Sequence, residues 1–393
     1  MKQNIKLHHI IILIIITAIV SGIASGVIVY SSFNKNAGIS YKSINNDSAL
    51  KEFLEVYSTI DNEYYESVDK NKMIESAIDG MLKYLNENYT TYLNKDETDM
   101  LHDVLAGEYQ GIGVMIENRT IKEVFDNSPA KRAGIQIGDE IYKVNGTDVS
   151  NFETKDIANM IKSSKEKSVS IIIKRNGEEK ELNLEISTLY VPAITKKVID
   201  NTKIGYIYLS TFSSSAANQI SDALGYLEEQ GINSLILDLR SNTGGFLSSA
   251  EGVANLFLNK GDVIYSLENK KSSKVVKDTT KKATTYPIIV LIDENTASAS
   301  EIVAGALKDS YNATIVGMKS YGKGKVQQTV SLSDGSMAKF TSAKWFRPNG
   351  TCIDEVGIKP DYEVELIYEK DQDGNIINII DTQLNKAVEL LSN

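Results

Sequence analysis

Tyr286-Pro-Ile-Ile-Val-Leu-Ile-Asp293-Glu-Asn-Thr-Ala-Ser298-Ala-Ser-Glu301-Ile-Val-Ala-Gly-Ala-Leu-Lys308 holds the junction from which the rest of the chain is understood. Its first part is a continuous apolar run of strand length, and a turn follows at Asp293. From Glu294 to Lys308 the apolar residues recur at helical spacing. Ser298 therefore stands where a buried strand turns into a helix. Such a turn lifts one side chain out of the backbone and leaves the first N–H groups of the helix without intrahelical partners. A second strand, Ala313–Gly317, follows, then Lys319-Ser-Tyr-Gly-Lys323-Gly-Lys-Val-Gln327-Gln328.

Two simpler patterns overlap this stretch. Ser298-x-x-Glu301 is a capping box, so the serine has a structural reading as a helix cap. Gly317-x-x-x-x-Gly322-Lys323 approaches a phosphate-binding loop, but Gly324 stands where the Mg²⁺-holding Ser/Thr belongs. The residues after it, Val326–Leu332, alternate like a strand, whereas a phosphate loop opens a helix.

The supply of bases narrows the chemistry. The chain has three histidines, His8, His9 and His102, and one cysteine, Cys352. The first two histidines precede an apolar segment of membrane length. Only His102, in a polar stretch far along the chain from Ser298, is left to build a Ser-His-Asp triad. A lysine base is the other option, with Ser298 as nucleophile and Lys323 as its partner. It requires a neutral amine, and moving lysine from about 10.4 to about 7 costs roughly 4–5 kcal/mol, which burial supplies. The small residues around Ser298 (Ala297, Ala299, Ala304, Gly305) suit that, although Lys325 adds a nearby charge.

The 393 residues predict two or three domains, with 42% hydrophobic and 24% charged residues, as in globular proteins. A net charge of −10 argues against a nucleic-acid partner. One cysteine excludes an intramolecular disulfide framework and any cysteine-based zinc site. No metal or cofactor is expected.

Along the chain, Ile10–Val29 is almost wholly apolar and no charge occurs between Lys6 and Lys35. Twenty such residues span a bilayer. Lys2 and Lys6 in front of it predict a cytoplasmic N-terminus and an exported remainder. A cleaved signal peptide is the alternative, with small residues between Ala18 and Ser25 as the place to cut. A polar linker precedes residues 49–106, whose apolar residues (Phe53, Leu54, Tyr57, Ile60; Ile74, Ile78, Met81, Leu82, Leu85) lie at helical spacing and suggest packing or dimerisation helices. Beyond residue 190, strands and helices alternate: strand Ile204–Leu209, helix 215–230, and buried strand Ser234–Arg240. Ser241-Asn-Thr-Gly244-Gly245 then leads into a helix over 246–258. Adjacent glycines ahead of a helix let backbone N–H groups approach a ligand and, with the N–H of Ala299, could form an oxyanion hole. A plain turn is the other reading. The Lys/Ser/Thr-rich stretch 268–286 is expected to be a solvated excursion.

Residues 107–189 resemble a PDZ domain of the bacterial arrangement. The resemblance rests on Gln110-Gly-Ile-Gly-Val114, Ser128-Pro-Ala-Lys-Arg-Ala-Gly134 and Gly138-Asp-Glu-Ile141. It implies that Gly111, Ile112, Gly113 and Val114 form the loop and strand start that hold a peptide's C-terminal carboxylate, the peptide adding as a strand.

With these pieces in place, the chain from about Phe53 to Leu391 resembles the carboxyl-terminal processing proteases, tail-specific Ser-Lys peptidases with a PDZ insert. The motifs are Asp238-Leu-Arg-x-Asn-x-Gly-Gly245, Thr296-Ala-Ser298-Ala-Ser-Glu301-Ile and Gly322-Lys323-Gly-x-Val-Gln327. The resemblance implies Ser298 as nucleophile, Lys323 as general base, Gln327 as its orienting residue, and oxyanion donors at Gly244, Gly245 and Ala299. Two stretches depart from the family pattern: Leu85-Asn-Glu-Asn-Tyr-Thr90, where a Leu-Asp-Pro turn is usual, and Arg347-Pro-Asn-Gly350.

The implied fold is a multidomain α+β chain. A stub and transmembrane anchor or signal segment (1–34) and a linker (35–48) lead to a helical, dimer-forming region (49–106). The PDZ domain (107–189), an α/β peptidase core of the crotonase/Clp-protease kind (190–368) and a helical tail (369–393) follow. The implied function is a membrane-anchored, extracytoplasmic bacterial endopeptidase, homodimeric, acting on proteins with free apolar C-termini. Two other classes stay open: a non-catalytic PDZ adaptor on a peptidase-like scaffold, and a crotonase-type enzyme acting on acyl thioesters.

Overall fold

The computed structural model describes residues 47–392, apart from 126–127, 165–166, 191–192, 281–283 and 371–375. The expected transmembrane segment lies outside the described residues. Within them, no helix is long and apolar enough to cross a membrane.

The peptidase core is built on a six-stranded sheet. Its order is Ile194–Val198, Ile204–Leu209, Ser234–Asp238, Ile288–Ile292, Thr314–Gly317 and Tyr362–Glu363; the first strand is antiparallel and the others are parallel. Ser234–Asp238 and Ile288–Ile292 are buried along their whole length, which is why both are unbroken apolar runs rather than alternating ones. Helices Ala216–Glu229, Leu247–Ala254 and Ala299–Ala306 cover one face: Ile207, Leu235, Leu237 and Val290 pack with Ile220, Leu227, Val253 and Ile302. The other face, with Ile204, Ile236, Ile289, Leu291 and Val316, is closed by Ala387 and its neighbours on the C-terminal helix Thr382–Ser392. Arg240 pins that helix in place. Its guanidinium donates to Asp238 and to Asp381 Oδ1 and Oδ2 (2.8 and 2.9 Å), and to Gln383 Oε1 (2.9 Å).

A second sheet holds Thr91–Leu93, Met337–Phe346, Val263–Asn269 and Ser273–Lys277, with Lys325–Ser331 also paired to Met337–Phe346. Two expectations are refined here. The Lys/Ser/Thr-rich stretch 268–286 is exposed over most of its described residues, as expected, but it is not without regular structure: Ser273–Lys277 pairs antiparallel with Val263–Asn269, whose Ile264, Tyr265 and Leu267 are buried. The region 49–106 is not purely helical. Helices Ser48–Glu63, Lys70–Tyr84 and Lys95–Ala106 are interrupted by Thr91–Leu93, which pairs with Met337–Lys339 of the catalytic half.

The PDZ domain is a sheet of Val114–Glu117, Thr120–Val124, Glu140–Val144, Ser168–Arg175 and Glu178–Glu185, with short helices Pro129–Arg132 and Thr154–Lys162 around its own core. The strands on either side of it, Glu108–Gly111 and Ser187–Tyr190, pair antiparallel, so the domain leaves and rejoins the chain at one point.

Candidate active site

Two loops of the core sheet bring the candidate residues together. Ser298 follows strand Ile288–Ile292 through a turn that Asp293 organises, and the helix begins only at Ala299. Asp293 accepts from Ser241 N at 2.8 Å and from Thr296 Oγ1 at 3.0 Å. Those bonds use up residues 293–296 as a turn, so the helical spacing that begins at Glu294 in the sequence is not helix until five residues later. Ser298 is fully buried, with φ 62° and ψ −118°. That conformation is rare and strained for a residue with a side chain, and it persists only where the surroundings enforce it.

Glu301 is what enforces it. This buried carboxylate accepts four hydrogen bonds: from Ser298 N (2.8 Å) and Lys323 N (2.9 Å) at Oε2, and from Gly322 N (2.7 Å) and Ser320 Oγ (2.6 Å) at Oε1. Ser320 Oγ itself accepts from Ile358 N at 2.6 Å, so its proton points to Glu301. All four partners donate, which suits the ionised form. Burial nevertheless pushes the carboxyl above its ordinary range, with the hydrogen bonds pulling against it. The capping-box spacing thus has a wider role than a helix start, because the same carboxylate also fixes the loop that carries the lysine.

Lys323 is buried as well, 1% exposed. Its carbonyl accepts from Trp345 Nε1 at 2.9 Å, and its Nζ lies 4.4 Å from the ring centre of Tyr89. Burial holds the amine well below the ordinary lysine value, the charge of Lys339 lowers it further, and Glu87 and Glu301 oppose the shift. Lys339 is a second buried lysine, 3% exposed and itself lowered by burial. Lys325, the neighbouring charge evident in the sequence, turns toward Glu87, with Nζ 3.6 Å from Oε1. Gln327 is fully buried. Its Nε2 donates to Thr341 Oγ1 at 3.2 Å, and its Oε1 is buried without a hydrogen-bond partner among the described residues.

The double-glycine turn sits against the serine. A Cβ on Gly244 would lie 2.9 Å from Ser298 Cβ and 3.0 Å from Ala299 N. Asn242 holds the turn to the serine loop: its carbonyl accepts from Ala297 N (3.0 Å) and Ser300 Oγ (2.8 Å), and its Oδ1 accepts from Gly244 N (2.9 Å). That last bond takes up the Gly244 N–H within the turn. Gly245 differs. The parallel bridge to Phe212 uses Gly244 O and Phe246 N (2.9 Å each), which turns the Gly245 N–H to the opposite side. Ala299 is the first residue of its helix, where an N–H has no intrahelical acceptor. Gly245 and Ala299 are therefore the donors suited to a developing oxyanion.

His102 is exposed on helix Lys95–Ala106, whereas Ser298 is fully buried. In the PDZ domain, Gly111, Ile112, Gly113 and Val114 form one continuous run. Ile112 is buried and its carbonyl accepts from Ala130 N at 2.8 Å; Gly113 has φ 86°. Val114–Glu117 is the outer strand of the sheet, paired on one side to Thr120–Val124, so its other edge is the one to which a strand could add.

Fold and site together define a serine peptidase carrying a PDZ domain. The chain belongs to the carboxy-terminal processing proteases of peptidase family S41. The S41 profile matches residues 203–364, a PDZ domain profile matches 105–174, and "Activating protease CtpB N-terminal domain" matches 26–98. The carboxy-terminal processing protease CtpA of Bacillus subtilis is 34% identical over 372 residues, covering 93% of this chain and 78% of that protein. A Staphylococcus epidermidis protein named "Probable CtpA-like serine protease" is 33% identical over 381 residues, covering 95% and 76%. Among solved structures, the photosystem II D1 C-terminal processing protease shares the fold, with a TM-score of 0.51 and 24% identity over 94% of this chain and 96% of that one.

The sequence leaves Glu301, Lys339, Glu87 and Thr341 without a role. Glu301 had a signal, the capping-box spacing. The others lie in an apparently helical region and an alternating strand, where nothing local singles them out.

Proposed function

We propose that this peptidase cleaves with Ser298 as nucleophile and Lys323 as general base, and that its substrates are exported proteins whose free, apolar C-termini dock on the PDZ domain. The observation that carries the reading is the shared Glu301 carboxylate, which holds the backbone N–H of both Ser298 and Lys323 and so fixes the two loops against each other. Neutral Lys323 takes the Ser298 hydroxyl proton as Oγ attacks the peptide carbonyl, and the N–H groups of Gly245 and Ala299 stabilise the oxyanion. The lysinium then protonates the leaving amine. Water then attacks the acyl-enzyme as Lys323 takes its proton, and the lysinium passes that proton to Ser298 Oγ as the C–Oγ bond breaks and the acid product leaves. Burial of Lys323 supports this, since it keeps the amine neutral at a pH where an exposed lysine is charged.

Gly111, Ile112, Gly113 and Val114 would receive the tail carboxylate and first residues. The apolar stretch Ile10–Val29 behind Lys2 and Lys6 supports a single-pass anchor with the catalytic part outside the cytoplasm. The exposed apolar residues of the first helices, Phe53, Leu54, Val56 and Ile60, support a homodimer. A fluorophosphonate probe tests the dyad: mass spectrometry should find the label on Ser298, and Lys323→Ala should abolish labelling. Labelling elsewhere, or undiminished labelling of Lys323→Ala, would reject it.

A further inference from the structure

The stretch Leu85–Thr90, which departs from the family pattern, ends inside the catalytic machinery. Glu87 Oε2 accepts from Thr341 Oγ1 at 2.7 Å, Thr90 Oγ1 at 2.9 Å and Tyr89 N at 3.2 Å. Thr341 N donates to Thr90 Oγ1 at 3.2 Å, and Thr91–Leu93 continues as a strand on Met337–Lys339. The far end of the network is Gln327, whose Nε2 donates to Thr341 Oγ1 at 3.2 Å. A segment about 250 residues away in sequence thus reaches the residue beside the base, a separation of 254 between Glu87 and Thr341.

The donor and acceptor inventory fixes every link. An ionised carboxylate only accepts, so the single Thr341 hydroxyl proton must point at Glu87. Thr341 Oγ1 can then only accept from Gln327. The Gln327 amide must present its nitrogen to Thr341 and its oxygen to the other side, and that oxygen is buried with no hydrogen-bond partner among the described residues. Turning the amide over would set two acceptors against each other. Burial works against the Glu87 charge, but the hydrogen bonds from Thr341, Thr90 and Tyr89, with Lys325, hold the carboxyl below its ordinary range.

We propose that Glu87 and Thr341 are positioning residues of the peptidase: Glu87 orients the Thr341 hydroxyl, Thr341 orients the Gln327 amide, and Gln327 Oε1 is thereby held as the acceptor for the Lys323 amine. The N-terminal region would then complete the active site rather than only flank it. This rests on the Ser298–Lys323 reading. The charged and titratable groups around the chain are Lys323, Lys325 and Lys339, Glu301, Tyr89, Tyr321 and Asp354.

The test is steady-state cleavage of an unfolded reporter by the full chain as a function of pH, with thermal unfolding recorded for each variant. Thr341→Val keeps the shape and removes the hydroxyl. It should lower kcat about tenfold or more, part of the ~10²–10⁴ that a positioned base contributes, with KM nearly unchanged. Thr341→Ser keeps the hydroxyl and should restore most of the activity. Glu87→Gln removes a negative charge that favours the lysinium, so the acid limb of the profile should move to lower pH while the plateau falls. A merely structural role would lower the plateau of both variants without moving the limb and without rescue by Ser. Wild-type kcat in Thr341→Val, or an unmoved limb in Glu87→Gln, would overturn the proposal even if Ser298→Ala and Lys323→Ala are inactive. If those two variants retain activity, the dyad itself fails, and the two failures are thereby distinguished.

Discussion

Replacing Glu301 by glutamine should damage both stability and turnover, although the two side chains have nearly the same shape. The carboxylate accepts two hydrogen bonds on each oxygen. An amide must put an NH₂ where one of those oxygens stood. At Oε2 it would face the N–H groups of Ser298 and Lys323, leaving two buried donors without acceptors. At Oε1 the Ser320 hydroxyl can turn to accept, but Gly322 N–H is left unpaired. One or two unsatisfied buried donors, with the loss of charge-assisted bonds, amount to roughly 2–5 kcal/mol. The chain's single tryptophan, Trp345, is buried and donates to the Lys323 carbonyl, so its fluorescence reports on this loop directly. Urea unfolding followed at Trp345 should show a lower midpoint for Glu301→Gln. Turnover should fall in the fraction that remains folded, because the Ser298 backbone relaxes out of its strained conformation. An unchanged midpoint together with unchanged kcat would refute the claim that this carboxylate ties the two catalytic loops.

Two further outcomes follow from the same geometry. Lys339→Met keeps the buried stem and removes the positive charge that helps depress Lys323, so the lysine value should rise and the acid limb of kcat/KM should move to higher pH. A limb that stays put or moves to lower pH would contradict that like-charge repulsion. In Gly245→Ala the new Cβ would meet Phe212 O at 2.3 Å and Phe212 C at 2.7 Å, both backbone atoms. The turn must shift, and kcat should drop by about 10²–10³, the usual cost of losing one oxyanion donor; full activity would exclude the Gly245 N–H from that role.

The parts of the site that lie in one strand–loop–helix junction are legible in the sequence, because strand, turn and helix periodicities converge on Ser298, and the Gly-Gly turn stands out before its helix. The PDZ elements likewise follow local turn signals such as Asn145-Gly146 and Asn176-Gly177, where both residues of each pair have positive φ. What stays hidden is long-range. Lys339 and Thr341 sit in the strand Met337–Phe346, whose alternation does not say that one lysine of that strand is buried while Lys344 is exposed. Glu87 follows a helix with ordinary amphipathic spacing, and its partner lies in the second sheet, so no local pattern could join them. The hydrogen bonding of the Gly-Gly turn is hidden for a related reason: a glycine permits close approach, but the neighbouring Asn242 side chain decides where the Gly244 N–H donates.

The most direct test of the central claim is cleavage of an unfolded reporter that carries either a free apolar C-terminus or the same tail amidated, with Ser298→Ala and Lys323→Ala run beside the native chain. The account predicts cleavage of the free-tail reporter by the native chain alone and a large loss on amidation. Cleavage that persists in Ser298→Ala or Lys323→Ala would contradict it at the dyad, and equal cleavage of the amidated tail would contradict it at the PDZ domain.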